Sequence, residues 1–136
     1  MKISEVMSTS VISVSPTQTV AEAAKLMSDN NIGAVPVADN GKIRGVLTDR
    51  DIVLRCVAQN LSAQTTKTGD VMTTGPVFVT GDTDVNDAMM LMSNEQVRRL
   101  PVLQDGRLTG FVSLADIARR HTGPELADAI ADISMP

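Results

Sequence analysis

One strand-to-helix pattern, Gly45-Val46-Leu47-Thr48-Asp49-Arg50-Asp51-Ile52, returns later in the chain as Gly110-Phe111-Val112-Ser113-Leu114-Ala115-Asp116-Ile117. The offset between the two is 65 residues (110 − 45 = 65), and Pro36 and Pro101 are separated by the same distance (101 − 36 = 65). Residues 6–55 align with residues 71–120 without a gap. Such self-similarity at a fixed period indicates a duplicated structural unit.

Each copy begins with a short run that predicts a strand, at residues 11–14 and 77–79. A helix is predicted next, because small and aliphatic residues recur there at spacings of three and four. Its N-cap is Thr17 or Thr19 in the first copy and Asp82 or Asp84 in the second. The two helices are expected to end near Asn30 and Asn94.

Two further strands and a helix complete each copy. Asn40-Gly41 and Asp105-Gly106 separate β-branched and aliphatic runs, and such dipeptides are strong hairpin signals. The second helix is expected at residues 49–57 in the first copy and 114–120 in the second. Each copy is therefore predicted to be β-α-β-β-α, and the fold class is α/β, of α+β type.

The copies are too short to be secure alone, so they are expected to pack sheet to sheet as one module. Thr122-Gly123-Pro124 predicts a short C-terminal helix with an apolar stripe at Leu126, Ala129, Ile130 and Ile133. The predicted boundaries are repeat 1 at residues 1–60, a linker at 61–68, repeat 2 at 69–122 and the C-terminal helix and tail at 123–136.

Composition excludes several function classes. The chain has 136 residues, a formal net charge of −4 and only 1% aromatic residues, which argues against nucleic acid as a partner. No stretch approaches the roughly 18 apolar residues of a membrane span. The single cysteine, Cys56, allows no intrachain disulfide and suits a cytoplasmic location. No metal-ligand spacing, phosphate-binding Walker loop or nucleophile elbow is present, so neither a metal site nor an enzyme is expected.

Thr48 and Asp51, like Ser113 and Asp116, stand three residues apart where a strand meets a helix. One interpretation is a helix capping box, in which each side chain bonds the other residue's backbone amide. The other is a ligand site, in which the helix start meets a phosphate and the carboxylate accepts hydrogen bonds from ribose hydroxyls. The residues alone leave both interpretations open.

The two octapeptides, with Val35-Pro36-Val37 and Leu100-Pro101-Val102 upstream, resemble cystathionine beta-synthase (CBS) repeats, which occur in pairs called Bateman modules. The resemblance covers nearly the whole chain, which is similar to the stand-alone bacterial CBS-pair proteins, including those linked to hypoxia or stress. It implies a regulatory module that binds AMP, ADP, ATP or S-adenosylmethionine between the repeats and acts through a homodimer or a partner protein, whose identity the sequence does not supply.

The resemblance also implies the site residues. In the first site, Ser113 and Asp116 bind ribose and phosphate, and Arg99 or Arg98 faces the phosphate; Arg99 is preferred because strand alternation would put the two arginines on opposite faces. In the second site, Thr48 and Asp51 have no matching cation, so the first is expected to bind more tightly. The expected adenine walls are Val11, Ile32 and Ala34 for the first site and Pro76, Val77 and Val97 for the second.

Two residues outside these sites carry weaker hypotheses. His121 follows two arginines at a helix end, where a basic residue complements the helix dipole. Cys56 is expected to be buried rather than a redox switch. The alternative function is a nucleotide-independent dimeric scaffold, in which the Ser/Thr-x-x-Asp elements are caps only.

Overall fold

The computed structural model of the chain describes residues 1–121 and 123–134. The chain divides into two compact units. The first-repeat unit comprises Ile12–Pro76, and the second-repeat unit combines Met1–Val11 with the chain from Val77 onward. The first eleven residues therefore belong to the unit that contains the second repeat.

The first-repeat unit is a helix, a hairpin and a second helix, followed by a short returning segment. The second helix continues as a π-helical turn, Val53–Val57, and a short strand, Thr73–Thr74, pairs antiparallel with the hairpin strand Lys42–Thr48. Its elements are α1 (Val20–Asn30), β1 (Ala34–Asp39), β2 (Lys42–Thr48), α2 (Asp49–Ile52), α3 (Thr68–Val71) and β3 (Thr73–Thr74).

The second-repeat unit repeats this order and ends with an additional helix. A 3₁₀ turn at Ile3–Glu5 precedes it in the chain. Its elements are α4 (Val85–Glu95), β4 (Arg99–Gln104), β5 (Arg107–Ser113), α5 (Leu114–Ala118) and α6 (Pro124–Ser134). The mixed α/β class and the C-terminal helix are confirmed.

The local signals explain most of these elements. Between the two possible N-caps in each copy, Thr19 and Asp84 are the residues used, and each accepts a hydrogen bond from a backbone amide of the first helical turn. Both hairpins turn where predicted, because Asn40 and Gly41 have φ of 52° and 81° and so adopt the left-handed conformation of a type I′ turn. Asp105 and Gly106 do the same in the second copy.

The first strand predicted in each copy is wrong as an extended element. Only Val14 and Val79 pair, each through one parallel bridge, to Val37 and Val102 respectively. Val14 donates to the carbonyl of Pro36, and Val79 donates to that of Pro101. Extending either ladder toward its N-terminus would need an amide from the proline itself, which has none, so pairing stops after one residue.

Each unit has its own aliphatic core. In the second-repeat unit the core includes Ile3, which is fully buried and donates its backbone amide to the carbonyl of Thr83. In the first-repeat unit the equivalent position is Thr68 (3 + 65 = 68), which is also fully buried and donates to Gln18 (18 + 65 = 83). The segment that opens each sequence repeat thus packs in the unit formed by the other repeat.

Helix α6 packs on α4 through the predicted apolar stripe. Ala129 is buried, and Leu126 and Ile133 pack against the core of the second-repeat unit. The predicted helix start at Thr122 lies outside the described residues. No helix within residues 1–121 and 123–134 has the length and apolar character needed to cross a bilayer.

Candidate functional site

The Ser113 and Asp116 side chains form a complete capping box at the start of α5. Asp116 donates its backbone amide to Ser113 Oγ at 3.0 Å, and Ser113 donates its own to Asp116 Oδ2 at 2.9 Å. The capping interpretation is therefore realised in the structure. The capping bond leaves further acceptor positions on the Asp116 carboxylate, because an ionised Asp offers about four of them on its two oxygens.

The second oxygen of Asp116 has an exposed partner. Arg119 Nη1 lies 2.8 Å from Asp116 Oδ1, and the Arg119 side chain is 71% exposed. An ion pair this exposed is worth at most about 1 kcal/mol. A ligand hydroxyl can therefore compete for Oδ1 at small cost. Arg119 lies outside the eight-residue pattern, and the sequence reading did not identify it.

Arg98 and Arg99 line a cavity of about 370 Å³ together with Ser113. Arg99 is the direct cross-strand partner of Ser113, which places the two side chains on the same face of the hairpin. Neither arginine has a carboxylate within 4.0 Å among the described residues. The remaining lining is apolar and comes from Leu114, Ala115, Ala118, Ile130 and Ile133.

The predicted placement of Arg98 and Arg99 on opposite faces of one strand does not apply, because only Arg99 lies in the strand. Strand β4 begins at Arg99, so Arg98 precedes the ladder and is not bound by its alternation. Its carbonyl instead accepts a hydrogen bond from the amide of Leu114 at 2.8 Å. This bond ties Arg98 to the start of α5, and both arginines consequently border the same cavity.

The equivalent residues of the first repeat form the same capping box with different surroundings. Thr48 and Asp51 exchange two amide-to-side-chain bonds of 3.0 Å each. The Asp51 side chain is almost buried and accepts in addition from the Thr73 hydroxyl at 3.2 and 3.3 Å. Arg55 Nε lies 4.0 Å from Asp51 Oδ1. Each carboxylate thus accepts from one backbone amide and one side-chain donor, but the Asp51 side chain is 11% exposed and that of Asp116 is 23% exposed.

The position of the arginines is taken in the first repeat by Gly33 and Ala34, and an acid lies beside them. A Cβ built on Gly33 would lie 3.0 Å from Asp49 Oδ2. The second repeat has the uncharged Leu114 at the position of Asp49 (49 + 65 = 114). The local charge at the two sites therefore differs in sign, positive beside Ser113 and negative beside Thr48.

The residues predicted to form adenine walls are divided between the units. Val11, Val77 and Val97 lie in the second-repeat unit, and the latter two pack against its core. Ile32, Ala34 and Pro76 lie in the first-repeat unit, where Ile32 packs against the core and Ala34 pairs with Thr48. Val11 does not line the cavity beside Ser113. Their roles as walls stay predictions.

The two weaker candidates have structural partners. His121 Nε2 lies 3.0 Å from Asn86 Oδ1, which links the end of α5 to α4. Cys56 is fully buried and its thiol lies 3.6 Å from the Leu61 carbonyl oxygen. Within the described part of the chain, no three His, Cys, Asp or Glu side chains are grouped so as to hold a metal ion.

Comparison with known proteins assigns the family. The CBS domain model matches twice, at residues 3–57 and 69–123. The chain belongs to the CBS domain family. The CBS domain-containing protein YhcV of Bacillus subtilis is 42% identical over 133 residues, which cover 97% of this chain and 94% of YhcV.

Two solved structures of CBS proteins are similar to this chain. Hypoxic Response Protein I, determined with two coordinated zinc ions, has a TM-score of 0.83 and 33% identity, covering 90% of this chain and all of that one. The CBS domain pair of protein MJ0100, determined in complex with 5′-methylthioadenosine and S-adenosyl-L-methionine, has a TM-score of 0.78 and 28% identity, covering 88% of this chain and 98% of that one. The resemblance to the family is thereby confirmed.

Proposed function

We propose that this CBS pair is a regulatory module that binds an adenosyl ligand and catalyses no reaction. The observation that carries the proposal is the cavity in which Arg98 and Arg99, neither of which has a carboxylate within 4.0 Å in the described part of the chain, meet the Ser113 end of α5. Its volume of about 370 Å³ lies within the range of roughly 300–1,000 Å³ typical of small-molecule sites. The adenosyl complexes of the MJ0100 domain pair support the ligand class.

The chemistry of this site favours a phosphate-bearing ligand. Asp116 is not a lining residue of the cavity, but it is hydrogen-bonded to Ser113, which is. Its carboxylate accepts hydrogen bonds from ribose hydroxyls, and the guanidinium groups of Arg98 and Arg99 bind phosphate oxygens, to which their planar donors are well matched. S-adenosylmethionine carries a positive sulfonium, which two uncompensated arginines disfavour. We therefore propose AMP, ADP or ATP before S-adenosylmethionine.

We further propose that the first-repeat set, Thr48 and Asp51, binds more weakly or not at all. Asp51 already accepts from Thr73, and Asp49 stands where a phosphate would need a cation. A phosphate beside a carboxylate is disfavoured by like-charge repulsion. The two repeats thus have similar backbones and unequal affinities.

Isothermal titration calorimetry of the purified protein with AMP, ADP, ATP and S-adenosylmethionine tests this proposal. Asp116→Ala and Arg99→Ala should each weaken nucleotide binding at least about tenfold, since each loses a charge-assisted hydrogen bond of roughly 1.5–3 kcal/mol. Asp51→Ala is the matched control for the capping box, and Arg44→Ala is the control for loss of an exposed arginine. Both controls should retain wild-type affinity.

Two results would contradict the proposal. One is the absence of heat or competition for every ligand with folded wild-type protein. The other is equal loss of affinity in Asp116→Ala and Asp51→Ala, which would make the defect one of stability. Circular dichroism and thermal unfolding of each variant separate folding from binding.

The completeness of both capping boxes favours a second candidate function, a nucleotide-independent homodimeric scaffold. In that case Asp116→Ala and Asp51→Ala would both lower the unfolding temperature, and no nucleotide would alter it. Light scattering across a range of protein concentrations would give the oligomeric state. A dimer whose stability is indifferent to all four ligands would favour the scaffold over the sensor.

A further inference from the structure

Helix α6 forms part of the cavity beside the arginines. Ile130 and Ile133 line it together with the polar residues Arg98, Arg99 and Ser113. The cavity therefore combines two cationic side chains with an apolar lining that includes both isoleucines. Both isoleucines lie beyond residue 123, where the match to the CBS domain model ends. They are a feature of this chain rather than of the matched repeats.

Ile130 is unusual among the residues of the α6 stripe. Its neighbour Ala129 is 2% exposed, whereas Ile130 is 45% exposed although it is a large aliphatic side chain. Water contact with that surface is unfavourable by roughly 25 cal/mol per Å². A ligand that covers Ile130 recovers this free energy, so the residue is suited to contact an uncharged part of a bound molecule.

The docking of α6 depends on packing rather than on charge. The helix has eleven residues, carries Glu125, Asp128 and Asp132, and has no basic residue in its last turn. Those three carboxylates have no ion pair within 4.0 Å in the described ranges. A helix this short is marginal without tertiary contacts, and acids near its C-terminus oppose its dipole. Added contacts should therefore measurably stabilise it.

We propose that Ile130 and Ile133 contact the uncharged part of a phosphate-bearing adenosyl ligand, so that occupancy of the cavity stabilises α6 against its unit. This inference rests on the proposed function, because it takes Arg98 and Arg99 as the phosphate end of the same site. It adds a ligand-contacting surface outside the CBS repeats. The stability of α6 would then depend on whether a ligand occupies the cavity.

Two measurements test the inference. In calorimetry, Ile130→Ala should weaken binding of the best nucleotide about tenfold, which is the effect expected for an aliphatic truncation in a ligand pocket. Ile133→Ala should act in the same direction. Met90→Ala is the matched control, because Met90 is also a large exposed apolar residue of this unit, at 63%, and does not line the cavity.

Hydrogen–deuterium exchange on the wild-type protein gives a readout without mutation. Amides at residues 127–133 should exchange more slowly with saturating nucleotide, and those of α1 serve as the internal reference. This inference alone is overturned by the following combination of results. Nucleotide binding depends on Arg99 and Asp116, but Ile130→Ala binds as tightly as Met90→Ala and the exchange rates of α6 do not change with nucleotide. Failure of wild-type protein to bind any nucleotide overturns the proposed function and this inference together.

Discussion

Gly45 lies where another segment of the backbone approaches β2 too closely for a side chain. A Cβ built there would lie 2.5 Å from the Thr73 carbonyl oxygen and 2.8 Å from Met72 Sδ. Gly45→Ala must therefore displace the β2–β3 pairing, and we expect a loss of about 1–3 kcal/mol in the free energy of unfolding, as for other overpacked sites. Urea denaturation measures this difference.

The control for Gly45 is Gly81→Ala. A Cβ at Gly81 would lie 3.4 Å from the Ser4 Cβ, which is an ordinary contact. That variant should unfold within about 0.5 kcal/mol of wild type, the usual range for a substitution without a specific cost. Equal stability of Gly45→Ala and Gly81→Ala would show that β3 is free to move away from β2.

At the level of single elements, the N-cap of α1 can be tested by mutation, because the sequence offers two candidate residues for it. Thr19 Oγ1 accepts from the Glu22 amide at 3.2 Å, while the Thr17 hydroxyl lies 3.1 Å from Ser15 Oγ. Thr19→Ala should lower the free energy of unfolding by about 1 kcal/mol, the usual value of an N-cap. Thr17→Ala is the control, and a larger effect there would assign the cap to Thr17.

The elements that the sequence predicts well are those set by local chemistry. Caps, turn dipeptides and helical periodicity act within a few residues, so α1, α4 and both hairpins are found where expected. The strands predicted around Val14 and Val79 fail because pairing depends on a partner strand whose proline removes the required donor. Both prolines are visible in the sequence, but their effect follows only once the pairing partner is known.

Some features of the candidate site could likewise be predicted from the sequence, and others could not. The Ser113–Asp116 box follows from the repeated pattern, and the position of Arg99 beside it is implied by the family resemblance. The partners Arg119 and Thr73, the shared position of Arg98 and the isoleucines of α6 do not, because each depends on contacts formed by the folded chain rather than on spacing within one motif. Those contacts add to the inequality of the repeats that the sequence already predicts, because Gly33 and Ala34 stand where the second repeat has Arg98 and Arg99.

At the scale of the whole molecule, the segments that open the two repeats are exchanged between the units. Ile3 is fully buried in the core of the second-repeat unit, and Val71, 1% exposed, is buried in that of the first-repeat unit. Each substitution to alanine should cost roughly 1–5 kcal/mol, since it removes buried methyl groups and leaves a cavity. The unit that weakens should be the one whose core holds the residue, not the one that shares its sequence repeat.

Native-state hydrogen exchange, measured amide by amide, shows which of the two units each substitution destabilises. Ile3→Ala should raise the exchange rates of β4 and β5 amides more than those of β1 and β2, and Val71→Ala should do the reverse. The two variants serve as controls for each other, because a general loss of stability would affect both hairpins alike in both. If Ile3→Ala weakened β1 and β2 first, Met1–Val11 would belong with the repeat that follows it in sequence, and the exchange of opening segments would be wrong.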